Sequence, residues 1–339
     1  MDEQSKRLSR RDALKVGLGA GVALSLNHVS GLAAEPLPSI PPQVGGLIER
    51  AIPSSGERLP IVGMGTARNY EDPTPEQMPP LREVIRQFPE MGGRVLDTAP
   101  SYGRAEVVVG ELMAELKNRD KFFIATKVSL GGRGGRGGRG AGGGGGGGAA
   151  AGPEQATASL DRSLSRFHTD HIDLMQVWNM SQPDVLLPLL DEWKAAKKIR
   201  YTGVTTSSDG QYEALEALMM ARKFDFIQVD FAIDNRNAQD RLLPLAADRG
   251  FGVLINLPFG RSRPFEKVQG KALPGWAKDI DCADWSQVFL KYVVSHPAVT
   301  AAIPGTEKVE YLKLNLGVAR GRLPDAALRK RIEQDFDAL

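Results

Sequence analysis

The 339-residue chain is short of the side chains that support metal or thiol chemistry: it has one cysteine, Cys282, and four histidines. One thiol excludes an internal disulfide and any zinc site built on cysteine. The histidines stand without metal-ligand spacing, so no metal is expected. No histidine lies close to Cys282 in sequence to activate it, and it reads as a packing residue or a loop thiol. A surplus of charge is missing as well. Residues 1–33 hold five of the 43 basic and three of the 41 acidic side chains, which leaves 38 of each in the body. That balance argues against an extended phosphate-binding face, and so against nucleic acid as a partner. Long apolar runs are absent too: the run from Val16 to Leu26 is far shorter than the ~20 residues a spanning helix needs, and no stable membrane span is expected.

What is present at the front is the layout of an address. "KRLSRRDALKVGLGAGVALSLNHVSGLAAEP" has a basic start, paired Arg10 and Arg11 after Ser9, a short apolar run, and small residues around Gly31 to Ala34. This pattern predicts a twin-arginine signal peptide over residues 1–34, hence the twin-arginine translocation machinery as a partner and the periplasm or cell exterior of a bacterium as the destination. The lack of disulfides suits a chain that folds in a reducing compartment before export.

From Ile61 onward, apolar runs of strand length alternate with segments of helical period. "IVGMGT", "RVLDTA", "FFIATKV", "DLMQVW", "YTGVTT", "DFIQVDF", "GVLINLPF" and "TAAIPGT" are the eight strand candidates. Segments such as "EVVVGELMAEL" and "YEALEALMMARK" repeat apolar residues at three- and four-residue steps. Eight strand–helix units predict an α/β fold, a closed (β/α)8 TIM barrel; an open doubly wound sheet is the alternative. The expected layout is a lead-in over 35–58, the barrel over 59–325 and a helical tail over 326–339. A glycine-rich tract, residues 131–152, falls between the third strand and the helix "PEQATASLDRSLSRF". It reads as a disordered insertion in a loop on the active-site rim. It is either an idle expansion or a flexible flap. Its three arginines, Arg133, Arg136 and Arg139, lack the interleaved aromatics that single-strand RNA binding uses.

Barrel enzymes assemble their sites at the carboxyl ends of the strands. There the sequence supplies Asp97 and Tyr102 from "RVLDTAPSYGRAE" and Lys127 from "FFIATKV". A tyrosine is a weak acid near neutral pH unless a cation favours its phenolate, and a lysine held by an aspartate provides one. Such a trio is suited to protonating an oxygen as charge builds on it.

"DTAPSYG", the lysine-ending third strand, "KIRYTGVTT" and "IPGTEKVEYLKLNL" together resemble the aldo-keto reductase family over about residues 61–325. The resemblance implies a barrel that reduces aldehydes or ketones, or oxidises alcohols, with NADPH across the carboxyl-end face; NADH is the alternative. Tyr102 would be the general acid, Lys127 would ease its ionisation and Asp97 would hold Lys127. The family's fourth member is a histidine ending the fourth strand, where this chain has Trp178. An indole N–H donates a hydrogen bond but relays no proton. The replacement implies slower turnover, a different substrate, or a protein that binds or senses the nucleotide without ordinary catalysis. His171 starts the same strand and is expected at the opposite end of the barrel. By the same resemblance the cofactor-binding residues are Gly65, Thr66, Thr205, Thr206 and Gln228, then Asn256, Pro258, Phe259, Gly260 and Arg261 in "NLPFGRSR", and Gly305, Thr306, Lys308 and Asn315 in the closing segment. Tyr311 and Leu314 stand where the family often has arginine and glutamate.

Overall fold

The computed structural model describes residues 46–128 and 152–339, which belong to one compact unit. The predicted signal peptide, the first part of the lead-in and the glycine-rich insertion as far as residue 151 lie outside the described residues.

The lead-in carries a feature that periodicity alone does not reveal. β1 (Glu49–Ala51) and β2 (Arg58–Pro60) pair antiparallel as a hairpin, turning at Gly56 with φ +78°. The eight barrel strands follow: β3 (Met64–Gly65), β4 (Val95–Asp97), β5 (Phe123–Val128), β6 (Ile172–Val177), β7 (Ile199–Thr205), β8 (Phe226–Asp230), β9 (Gly252–Asn256) and β10 (Ala301–Ala302). Each pairs parallel with the next, in sequence order. The ring closes through parallel bridges Val62 to Ala302 and Gly65 to Gly305. The barrel expected from the sequence is therefore the fold.

Helices lie between the strands because their apolar residues recur on one face. α1 (Met78–Glu90) buries Leu81, Val84, Ile85 and Phe88, and α2 (Ala105–Leu116) buries Val108, Val109, Leu112 and Met113. α3 (Pro153–Arg166), α4 (Pro183–Ala195), α5 (Tyr212–Ala221) and α6 (Leu242–Arg249) repeat the pattern. A short α7 (Arg263–Lys267), then α8 (Trp285–Val294), α9 (Val309–Val318) and α10 (Ala326–Asp337) complete the set. Packing between α2 and α3 is close enough that a Cβ on Gly110 would sit 1.8 Å from the Arg166 carbonyl oxygen.

Strand alternation sorts the core into two clusters. Residues such as Ile124, Met175, Val204 and Val253 face the helices. Val95, Phe123, Leu174, Tyr201, Phe226 and Leu254 fill the barrel together with Ile52 and Leu59 of the hairpin. Phe123, Tyr201 and Phe226 pack with ring centres 5.7 to 6.2 Å apart. The Tyr201 hydroxyl donates to Glu57 at 2.9 Å and is hydrogen-bonded to the Ser55 hydroxyl at 2.8 Å, both in the hairpin turn. The amino-terminal end of the barrel is thus sealed, and the inward residues at the opposite end, Asp97, Lys127, Gln176, Thr205 and Gln228, are polar.

Candidate active site

The inward alternation that seals one end builds the site at the other. Asp97 follows Val95 on β4, and Lys127 follows Phe123 and Ala125 on β5, so both side chains enter the barrel near its carboxyl end. They are 3% and 2% exposed. The Lys127 Nζ donates to both Asp97 carboxylate oxygens at 2.8 Å and to the Thr98 carbonyl at 2.7 Å, so its three protons have three acceptors. Burial works against the ammonium, but Asp97, with Tyr102 and Glu106 behind it, prevails and holds its pKa above the ordinary lysine value. Burial pushes the Asp97 carboxyl upward, and the lysine opposes that push.

Tyr102 stands on the turn after β4, with the Lys127 ammonium 5.4 Å from its ring centre. Its backbone N–H donates to the Ala99 carbonyl at 3.0 Å. Gly103 follows with φ +50°, and a Cβ there would lie 2.6 Å from the Glu71 carbonyl oxygen, so this turn requires glycine. Thr66 fastens β3 to the same loop through two bonds to the Asp97 carbonyl oxygen, each 3.1 Å.

A cavity of about 200 Å³ opens between these groups. From the sequence-predicted set it is lined by Tyr102, Lys127, Trp178, Thr205, Gln228, Asn256 and Arg261. Asp97 is not in the cavity wall and holds the Lys127 ammonium that is. Thr206 turns away: its hydroxyl bonds Gln211 at 2.6 Å, and its carbonyl accepts from Asn256 at 3.1 Å. Phe259 packs on Phe265, ring centres 5.4 Å apart, and Pro258 and Gly260 are buried beside it. Gly65 ends β3 and Thr66 follows it, both outside the cavity wall. Gly305, Thr306, Lys308 and Asn315 form a separate group after β10. The Asn315 side chain donates to Thr306 at 3.0 Å, while Gly305, Lys308 and Tyr311 are exposed.

Sequence reasoning missed Ala67, Ser101, Asn179, Ser207 and Leu257 in the cavity wall, because loop residues carry no periodicity. It also missed Gln176, which shares the inward face of β6 with Leu174 and pairs with Lys127 across the ladder. Alternation between Leu174 and Trp178 was the signal that could have found it.

A larger cavity, about 580 Å³, lies at the amino-terminal end and includes Arg94, Arg119, His168, His171 and Arg200. Its arginines are engaged: Arg94 with Glu57 at 2.9 Å, and Arg119 and Arg200 with Asp173 at 3.3 and 2.7 Å. His171 is in this wall, at the opposite end of the barrel from Tyr102. Cys282 is buried and its thiol is pushed up to about 12 by burial, which suits a packing residue. Among the described residues no cluster of His, Cys, Asp or Glu could hold a metal, and no helix is long and apolar enough to cross a membrane.

A barrel with a buried carboxylate–ammonium pair beside a tyrosine at its carboxyl-end mouth defines a class of site suited to proton delivery. Comparison with known proteins gives that class a family. The Aldo/keto reductase family profile matches residues 61–333, and the chain belongs to that family. It is 31% identical over 189 residues to norsolorinic acid reductase B of Aspergillus parasiticus, covering 52% of this chain and 47% of that protein. To the aldo-keto reductase YhdN of Bacillus subtilis it is 30% identical, covering 51% and 50%. These matches span about half the length of each relative. In fold it is similar to an aldo-keto reductase from Klebsiella pneumoniae solved in complex with NADPH, with a TM-score of 0.68 and 21% identity over 86% of this chain and 95% of that one.

Proposed function

We propose that this protein is an NADPH-dependent oxidoreductase that reduces an aldehyde or ketone to an alcohol, or runs the reverse, with Tyr102 as general acid. The observation that carries the reading is the buried Asp97–Lys127 pair beside Tyr102 in the cavity wall.

The residues present fit a nicotinamide. The side-chain oxygens of Gln228 and Asn256, residues of the cavity wall, are buried without a hydrogen-bond donor, and a carboxamide NH2 offers two N–H groups. Arg261 stands exposed at the rim, with a charge suited to a pyrophosphate, and the exposed Lys308 offers one to a 2′-phosphate. That cation favours NADPH over NADH. Gly65, Thr66, Thr205, Thr206, Pro258, Phe259, Gly260, Gly305, Thr306 and Asn315 shape the surrounding loops. Bound there, the cofactor supplies a hydride to the carbonyl carbon.

The chain supplies the proton and the electrostatics. As the C=O bond becomes C–O, Tyr102 gives its phenolic proton to the oxygen, and the phenolate is refilled from solvent. Lys127 places a positive charge beside that phenolate. Asp97 fixes Lys127 and offsets part of its burial cost.

Oxidation of NADPH with a reactive aromatic aldehyde tests this. The full chain should turn over, and Tyr102→Phe should lose at least about 100-fold in kcat while binding the nucleotide as before. Nucleotide binding with no turnover in either protein would favour a nucleotide-binding or sensing protein instead.

The paired Arg10 and Arg11 support export through the twin-arginine machinery to the periplasm or beyond. Arg10→Lys together with Arg11→Lys should keep the protein in the cytoplasmic fraction; unchanged export would overturn this.

A further inference from the structure

Among the inward polar residues of the barrel, Gln176 has no part in the mechanism above. It is fully buried, stands outside the cavity wall, and pairs in the ladder with Lys127 of β5 on one side and Gly203 of β7 on the other. Its side chain needs the glycine: a Cβ on Gly203 would lie 3.0 Å from the Gln176 Cγ. Among the described residues neither the oxygen nor the nitrogen of its amide has a hydrogen-bond partner. A buried amide left in that condition lowers stability, so its presence in the core calls for a functional reason.

The amide lies near enough to Asp97 to act on it. Burial raises the Asp97 pKa, and Lys127 first, then Gln228 and Gln176, oppose that push by favouring the carboxylate. The charges that act on Lys127 itself are those of Asp97, Tyr102 and Glu106, none of them on β6. Gln176 therefore reaches the lysine through Asp97.

In the arrangement seen, the Lys127 Nζ gives its protons to the two Asp97 oxygens at 2.8 Å and to the Thr98 carbonyl at 2.7 Å. When Tyr102 gives up its proton, a phenolate forms beside this ammonium, which stands 5.4 Å from the ring centre. An ammonium has three N–H donors, so it can bond the phenolate only by withdrawing one from a present acceptor. The two oxygens of one carboxylate subtend a narrower angle at Nζ than two N–H bonds do, so one of the Asp97 bonds is bent and is the easiest to give up. The oxygen so released then needs another donor, and the Gln176 nitrogen is unengaged.

We propose that Gln176 is a positioning residue: its amide nitrogen takes over the Asp97 oxygen that Lys127 releases on turning toward the Tyr102 phenolate, and so keeps Asp97 charged and fixed while the proton is delivered. This rests on the reductase reading above. Only hydrogen bonds are exchanged, and the one proton transferred is that of Tyr102.

Gln176→Met tests this, since it keeps the length of the side chain and removes both polar atoms. The readout is the single-turnover rate of NADPH oxidation by benzaldehyde across pH, on the full chain. At pH 7 the rate should fall roughly 3- to 10-fold, because proton transfer follows only part of a change in acidity. With the phenolate less well supported, Tyr102 keeps its proton to higher pH. The alkaline limb should therefore move about one pH unit upward, the scale of one hydrogen bond to a charged group. Binding of NADPH should hold, and the urea midpoint should equal or exceed the parent's, since no unpartnered amide remains buried. An unchanged rate or an unmoved limb overturns the proposal. A limb that moves toward neutrality overturns it too, because Gln176 would then serve only to keep the Asp97–Lys127 pair charged. So does a urea midpoint below the parent's in both Gln176→Met and Gln176→Leu, which would mark the amide as a structural group. Turnover that survives in Tyr102→Phe overturns the parent reading instead.

Discussion

At the scale of single residues, the site depends on a charge pair that would be costly to bury unpaired. Lys127 is 2% exposed, and an ammonium at that depth persists only because Asp97 accepts two of its protons and Thr98 the third. Removing one member of such a pair leaves the other uncompensated, at about 3–5 kcal/mol. Asp97→Asn preserves shape and removes charge, so it separates electrostatics from packing. Lys127 then loses the partner that opposes burial, and its pKa falls from its raised position. The ammonium is lost at lower pH, so the alkaline limb of kcat should move toward neutrality, and the urea midpoint should drop at pH 7. A variant with the parent's midpoint and pH profile would mean that Asp97 is not the counter-ion that matters.

At the scale of elements, the legibility of the sequence follows burial. The eight strands were readable because each is a short apolar run bounded by turn residues. Asp97 and Lys127 were readable because they are charged residues ending such runs. The hairpin of β1 and β2 was not, since three-residue strands give too little alternation to count; only Ile52 and Leu59, filling the barrel, mark its purpose. The cofactor loops were readable as motifs but not as geometry. "NLPFGRSR" gave no sign that Phe259 would turn onto Phe265 while Arg261 stayed at the rim. Glu106 shows a second limit. It is 1% exposed, and joins three elements by accepting from Thr126 at 2.7 Å, Ser163 at 2.9 Å and Arg166 at 2.8 Å. Its burial comes from packing between α2, β5 and α3, which no local pattern encodes. It fastens α3, the first helix after the insertion, to the helix that follows Tyr102.

At the scale of the whole molecule, the two ends of the described chain meet at a cluster of cations around one histidine. Arg50 on β1 donates to the His296 carbonyl at 2.8 Å and also to that of Val299. Arg329 on α10 donates to Ser295 at 2.7 Å and lies 4.4 Å from the Tyr292 ring centre. The Tyr292 hydroxyl donates to Glu333, and the imidazole meets Phe231 edge to face at 5.9 Å. Burial, then Arg329 and Arg50, lower the His296 pKa to about 4 from 6.5. In the unfolded chain the imidazole protonates near 6.5, so between about pH 6.5 and 4 the unfolded state binds the extra proton. Stability from this group is therefore complete above about pH 6.5 and is lost as pH falls toward 4. A gap of this size corresponds to about 3 kcal/mol, reduced to about 1–2 kcal/mol because the ring is partly exposed. Urea unfolding at pH 7, 5.5 and 4.5 should show this loss above that of the carboxylates. His296→Gln keeps a polar side chain but cannot charge, so its stability should fall by about 1–2 kcal/mol less over the same interval. Equal losses in the two proteins would place the acid sensitivity of this junction elsewhere, in the Glu333 carboxylate that accepts from Tyr292.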